Sequence, residues 1–324
     1  MPKARKFQIN PERTLYYHCV SRCVRRAFLC GQDKYSGQSY EHRRQWVEKR
    51  LHKLSTVFCI DLCGYAVMNN HTHVVLRIQP KQAQNLSDLE VVQRWHTIFK
   101  GTLLTQQYIK GMHLTAAQMI TVKSTLAVWR QHLQDISWFM RALNEHIARM
   151  ANKEDNCTGR FWEGRFKCQS LLGKSALAAC LAYVDLNPIR AKMADRPSRS
   201  DYTSIKYRIN AARSGKTPKY LLAFTGDAPI HSSIGLPFEL TEYLQLVGFT
   251  GRKLTKFNEN SFENSQPPIL SRINIGKEQW TELSTSFESC FADVVGNEAQ
   301  MLNYQQNEDL KRLWHKGTAK RLFG

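Results

Sequence analysis

The chain has 324 residues and a formal net charge of +19, and its 42% hydrophobic and 23% charged residues exclude a disordered polycation. Its length allows one large domain or two moderate ones. No run of about 18 apolar residues occurs, which excludes a membrane-spanning helix, and the basic first residues lack the apolar stretch of a secretory signal.

The charge is uneven. Residues 1–200 carry 31 Lys and Arg against 14 Asp and Glu, whereas residues 201–324 carry 15 against 13. A basic excess of that size points to a polyanion such as nucleic acid, or to a solvated basic surface.

In chain order, residues 14–21, rich in Tyr, Cys and Val, predict a strand. A polar loop over 31–39 follows, then an amphipathic helix over 40–56 with Trp46, Val47, Leu51 and Leu54 at helical spacing. Two β-like runs, 57–68 and 72–78, flank Asn69-Asn70, a pair that tolerates a tight turn. Residues 79–135 are rich in Gln, Thr and Leu and predict a helical insertion, being long for a connection. An amphipathic helix over 136–152, a loop over 156–159, a strand within 160–172 and an Ala/Leu-rich helix over 174–186 complete the pattern. That last helix should end near Asn187, because Pro188 disfavours α geometry in the residue before it.

This order predicts an α+β fold: a ferredoxin-like antiparallel sheet with helices on one face, the helical insertion, and a mostly helical C-terminal region. We divide the chain into a domain over 1–210 and an accessory region over 211–324, with helical stretches at 236–247, 277–294 and 297–315. The nine cysteines are odd in number, irregular in spacing and without a C-x-x-C pair, which reads as buried free thiols of a reducing cytoplasm rather than a zinc site.

Three constellations carry chemistry. In Asn70-His71-Thr72-His73, strand alternation puts His71 and His73 on one face, a partial site for a divalent metal such as Mn. Two hydrogen-bonded histidines beside a turn are the alternative. In Tyr183-Val184-Asp185-Leu186-Asn187-Pro188, Tyr183 and Asn187 are one helical turn apart. Tyr183 could attack phosphorus, with help in forming its phenolate, and Asn187 could add a third metal ligand. A packed tyrosine and a helix-end asparagine are the alternative, and Asp185 falls on another face. In Arg160-Phe161-Trp162-Glu163-Gly164-Arg165-Phe166-Lys167, cations alternate with aromatics, as for phosphate contact and base stacking on a single strand, or for a core strand with solvated cations. Arg22, Arg25 and Arg26 form a similar basic run beside the first strand.

Together these segments resemble the single-tyrosine HUH transposases, and more closely the REP-associated tyrosine transposases of bacteria. The matching residues are 17–22, 67–76, 160–163 and 182–191, in the family's order, and the resemblance spans roughly 13–80 and 136–210. Thr72 departs from the bulky hydrophobe usual between the two histidines. The insertion and the residues beyond about 210 have no counterpart in the short members.

The resemblance implies a metal-dependent enzyme that cleaves and rejoins single-stranded DNA near a hairpin. Tyr183 would form a 5′-phosphotyrosine link, with His71, His73 and Asn187 holding Mg²⁺ or Mn²⁺. Arg22, Arg25, Arg26, Arg160, Phe161, Trp162, Arg165, Lys167 and Arg190 would contact DNA. It also implies a cytoplasmic, nucleoid-associated protein acting as a monomer or a homodimer. Two other functions share these features. One is a hairpin-binding or regulatory protein that does not cut. The other is an HUH replication initiator, although no P-loop helicase motif occurs. Relaxases differ in placing the tyrosine before the histidines.

Overall fold

The computed structural model describes residues 8–24, 29–33, 37–226, 229–230, 235–255 and 267–324. The basic residues Arg25 and Arg26 lie outside the described residues.

The first half runs β1 (Tyr16–Arg22), α1 (Arg43–Val57), β2 (Ile60–Val67), β3 (His71–Ile78), then the insertion helices α2 (Pro80–Asn85), α3 (Asp88–His96), α4 (Leu103–Ile109) and α5 (Ala116–His132). It continues with α6 (Ile136–Glu154), β4 (Lys167–Leu171), α7 (Lys174–Asp185), the short α8 (Asn187–Arg190) and α9 (Ser204–Arg213). Beyond these lie α10 (Leu240–Thr255), α11 (Pro268–Arg272), α12 (Lys277–Cys290), β5 (Val294–Val295), α13 (Glu298–Asn307) and α14 (Lys316–Phe323).

The sheet order is β2-β3-β1-β4-β5. The first four strands are antiparallel neighbours, and β5 joins β4 in parallel. The four-strand part has the expected ferredoxin-like order. Its helices α1 and α6 lie on one face, where Val47, Leu51, Phe139 and Leu143 share a core with Tyr17, Cys19, Val74 and Leu76. Because side chains alternate along a strand, the neighbouring residues Tyr16 and Val75 enter a second core. That core holds Leu177, Leu181 and Val184 of α7 with Leu246, Leu283 and Phe287 of α10 and α12. Thus α7 and the C-terminal helices cover the face that the basic ferredoxin-like unit leaves open. The insertion sits with the first face: Val91, Trp95, Leu126 and Trp129 belong to that core.

Every residue of α7 from Ala176 to Asp185 is buried, as fits a helix clad on both sides. Its approach to the sheet depends on Gly64 at a bulge in β2, where a Cβ would stand 2.9 Å from Leu181 Cδ2.

Some elements differ from the sequence expectation. The strand expected within 160–172 forms only over Lys167–Leu171, and Trp162 keeps one isolated bridge to Cys23. The helix expected over 277–294 stops at Cys290, because Phe291 turns extended (φ −139°, ψ 143°) and leads into β5. The helix expected over 297–315 stops at Asn307, followed by a left-handed Asp309 at φ 46°. Helix α9 is an element beyond those expected; Thr203 caps it by accepting from Lys206 N. All nine cysteines are free thiols, eight of them buried.

Candidate active site

The polar residues of the second sheet face come from alternate strand positions. On β1 this face carries Tyr16 and His18, and on β3 it carries His71, His73 and Val75. The register sets Val20 opposite His73 and His18 opposite Val75, so His18 is the diagonal neighbour of His73. Their rings stack at 5.2 Å between centroids, 9° from parallel. The His71 ring meets the His73 ring edge-on, 4.8 Å away. His18 and His73 are fully buried, while His71 is half-buried beside the turn, with Nδ1 2.6 Å from Asn70 Oδ1.

Helix α7 lays its C-terminal end over these rings. The helix stops at Asp185, and the chain restarts as α8 with Pro188 in its first turn, where a missing N–H costs nothing. The break leaves the one-turn relation of Tyr183 and Asn187 intact. The Asn187 amide reaches His73 Nε2 at 2.6 Å, and the Tyr183 ring lies edge-on to His73 at 5.7 Å. Asp185 points elsewhere, as its helix position predicts. It is buried, and its carboxylate accepts from Ser204 Oγ, Ile205 N and Tyr243 Oη at 2.6, 3.0 and 2.6 Å.

A third element was not foreseen. Helix α12 leaves helical geometry at Ser286 (φ −127°, ψ 19°). Just beyond this kink, Phe287 packs against Tyr183 with ring centroids 5.7 Å apart, and Glu288 Oε2 accepts from Tyr183 Oη at 3.2 Å. Glu288 comes from the nearly neutral C-terminal region, 105 residues from the tyrosine.

Hydrogen bonds fix the states of the rings. Gln169 Nε2 donates to the Phe291 carbonyl at 2.8 Å, leaving its Oε1 to accept from His18 Nδ1 at 2.8 Å. His18 Nε2 then carries a lone pair and accepts from His73 Nδ1 at 3.0 Å. Asn187 in turn donates to His73 Nε2. Burial depresses the pKa of all three histidines; that of His71 falls to about 4, with the nearby Arg22 adding to the effect. The imidazoles are therefore neutral near pH 7, the state that can bind a metal.

Burial also pushes the Tyr183 phenol up to about 12, opposed by Arg190 and reinforced by Glu288. The Arg190 guanidinium lies 3.8 Å from the Tyr183 ring centroid and donates to the Ser284 carbonyl of α12 at 3.2 Å. The sequence reading assigned Arg190 to DNA; here its head is packed over the tyrosine.

A cleft of about 540 Å³ opens beside this site, lined by His18, Gln169 and Glu288 together with Arg165, Lys167 and Asp293. A smaller adjoining hollow of about 250 Å³ is lined by Arg22, Arg165, Lys167 and Glu288. Three of the basic residues singled out in the sequence thus converge on one opening. Arg160 is exposed but lines neither hollow. Phe161 corrects the expectation of a stacking platform. It is 2% exposed and belongs to the first-face core, so no ring face is offered to a base. Trp162 is half-buried, its indole N–H donating to the Asn144 carbonyl at 2.8 Å. Thr72 faces away from the histidines, and its buried hydroxyl has no hydrogen-bond partner among the described residues.

The donors fit a divalent cation. One ligand atom from each of His18, His73 and Glu288 lies within 4.8 Å of the others. Imidazole and carboxylate together suit Mn²⁺ and related ions. His71 and Asn187, the other donors expected from the sequence, border the same His73 ring.

No protein-family model matches the chain, and no curated protein does. A solved structure of a REP-associated tyrosine transposase bound to a REP hairpin is similar at 10% identity and a TM-score of 0.38, over 72% of this chain and 97% of its own. A likeness of that strength says nothing about activity. Among the described residues no helix is long and apolar enough to cross a membrane.

Proposed function

We propose that this chain is a single-stranded DNA endonuclease and strand transferase that acts near hairpins through Tyr183. The observation that carries the reading is the meeting of separate sequence signals beside two adjoining hollows that share Arg165, Lys167 and Glu288. Asn187, one turn from Tyr183, touches His73 of the His-x-His strand, and Arg22, Arg165 and Lys167 line the approach.

In this reading the cleft basics hold the backbone of a folded single strand so that one phosphate faces the phenol. The Tyr183 oxygen forms a bond to phosphorus, and the bond from phosphorus to the 3′ oxygen breaks. The phenol proton passes to Glu288, and the departing oxygen takes a proton from solvent to end as a 3′-hydroxyl. The phosphodiester energy is kept in the 5′-phosphotyrosine link, so a second 3′-hydroxyl can reseal the strand without a nucleotide. A bound Mg²⁺ or Mn²⁺ would stabilise negative charge on the phosphoryl oxygens. His73 would hold it, together with donors drawn from the neighbouring His71, Asn187, His18 and Glu288. Arg190 positions the tyrosine by packing across its ring.

The test is to incubate the protein with a labelled single-stranded hairpin and Mn²⁺. An SDS-resistant adduct is expected, and Tyr183→Phe should abolish it while hairpin binding persists. An adduct that survives the substitution overturns the assignment. The unbroken chain from Asn187 through His73 and His18 to Gln169 favours a second reading, since it satisfies these imidazoles without a metal. In that reading the protein binds hairpins without cutting, and no divalent metal yields an adduct.

A further inference from the structure

The C-terminal region had no assigned role, yet it places Glu288 beside Tyr183 and the buried histidines. We propose that the divalent cation is held by His18 Nε2, His73 Nδ1 and the Glu288 carboxylate, with Asn187 and Gln169 orienting the two rings. What the cation does rests on the nuclease reading above; that it binds there does not.

Three observations favour this set over His71, His73 and Asn187. The first is spacing. His18 Nε2 and His73 Nδ1 are 3.0 Å apart, and two ligands at about 2.1 Å on adjacent octahedral positions stand about 3.0 Å from each other. A cation would take the place of the hydrogen now shared between the two nitrogens, and the His73 proton would move from Nδ1 to Nε2 by exchange with solvent.

The second is orientation. A histidine ligand is normally fixed by a hydrogen bond from its other ring nitrogen. The Gln169 carbonyl accepts from His18 Nδ1, which leaves Nε2 as the metal-facing atom. On His73, Asn187 lies at Nε2. A turn of its amide lets Oδ1 accept from an Nε2–H once Nδ1 binds a cation.

The third is charge. One nitrogen each of His18 and His73 and a carboxylate oxygen of Glu288 lie within 4.8 Å of one another, so this set includes a negative charge. The set of His71, His73 and Asn187 contains no negative charge, and Arg22 and Arg190 bear on both of its histidines through their positive charge, whereas Glu288 bears on His18 and also on His71. A doubly charged ion is better compensated next to Glu288. Glu288 also accepts from Tyr183 Oη, which sets the cation site next to the reacting oxygen.

The account makes the active centre composite: two strands give the histidines, α7 gives the tyrosine, and α12 gives the acid. The kink at Ser286 is the local feature just ahead of Glu288.

The test titrates the full-length chain with Mn²⁺ alone, following free Mn²⁺ by electron paramagnetic resonance. One site is expected. Glu288→Gln should weaken it at least about tenfold, as loss of a charged ligand does, while His71→Ala should change it less than about threefold. His18→Gln should weaken it as Glu288→Gln does, and if that buried variant fails to fold, the half-buried Glu288 carries the test. The proposal is overturned if His71→Ala costs as much as Glu288→Gln, if Glu288→Gln leaves binding unchanged, or if the parent chain takes up no Mn²⁺. Mn²⁺ bound in this pattern without a hairpin adduct would count against the nuclease reading and leave the cation site standing.

Discussion

The two faces of the sheet are built from the same strands and do opposite things. On the first face, β1 and β3 offer Tyr17, Cys19, Val74 and Leu76, and α1 and α6 close over them in an apolar core. On the second, one residue along each strand, they offer His18 and His73, and α7 with α12 closes over those. The first face gives the domain its stability in the ordinary way, by removing apolar surface from water. The second buries two neutral imidazoles, an amide and a phenol, and must supply each with a partner. Its cover is therefore assembled from distant segments, and the C-terminal region is needed to complete it.

That contrast can be broken at Asp185. This buried carboxylate accepts from Ser204, Ile205 and Tyr243, tying α7 to α9 and α10. Asp185→Ala leaves Ile205 N and Tyr243 Oη unpaired, while Ser204 Oγ keeps the Tyr65 carbonyl at 3.2 Å, and should cost at least about 2 kcal/mol in chemical denaturation. Hydrogen exchange should show where the loss falls: α10 and α12 should exchange faster while α1 and α6 stay protected. Uniform loss of protection would mean that the two faces are not separable layers.

A smaller effect is expected at the cleft. Arg165→Ala with Lys167→Ala removes two cations from its wall. Hairpin affinity, measured by anisotropy across a salt series, should fall about tenfold or more, and the slope of log K against log salt should shrink by about 1.5. An unchanged slope would place the phosphate contacts elsewhere.

The smallest effect belongs to the first face. The Thr72 hydroxyl is buried there without a hydrogen-bond partner among the described residues. Thr72→Val should stabilise the chain by about 1 kcal/mol, read as a higher denaturation midpoint with an unchanged slope. A loss of stability would mean that the hydroxyl has a bond through water.

Much of this site was legible in the sequence, for reasons of period. A spacing of two on a strand put His71 and His73 together, and a spacing of four on a helix put Tyr183 with Asn187. Other parts were not legible. His18 lay inside a recognised segment, but nothing local says which strand residue will be diagonal to His73. Glu288 is an ordinary acid on an ordinary amphipathic helix, and its role comes from packing 105 residues away. Phe161 shows the converse: alternating cations and rings read equally as a binding surface or a core edge, and only the fold decides which side of the chain faces in. Likewise, the strand order followed from the pattern of elements, whereas the cover on the second face came from C-terminal helices with no spacing that ties them to the sheet.

Whether Tyr183 is the nucleophile is read most directly from the mass of the protein after reaction with a single-stranded hairpin in Mn²⁺. The account predicts a gain equal to the fragment downstream of the cut, joined through its 5′ phosphate, and carried after digestion by the peptide that contains Tyr183. A gain located on any other residue, or hairpin binding with no gain in mass, would contradict it.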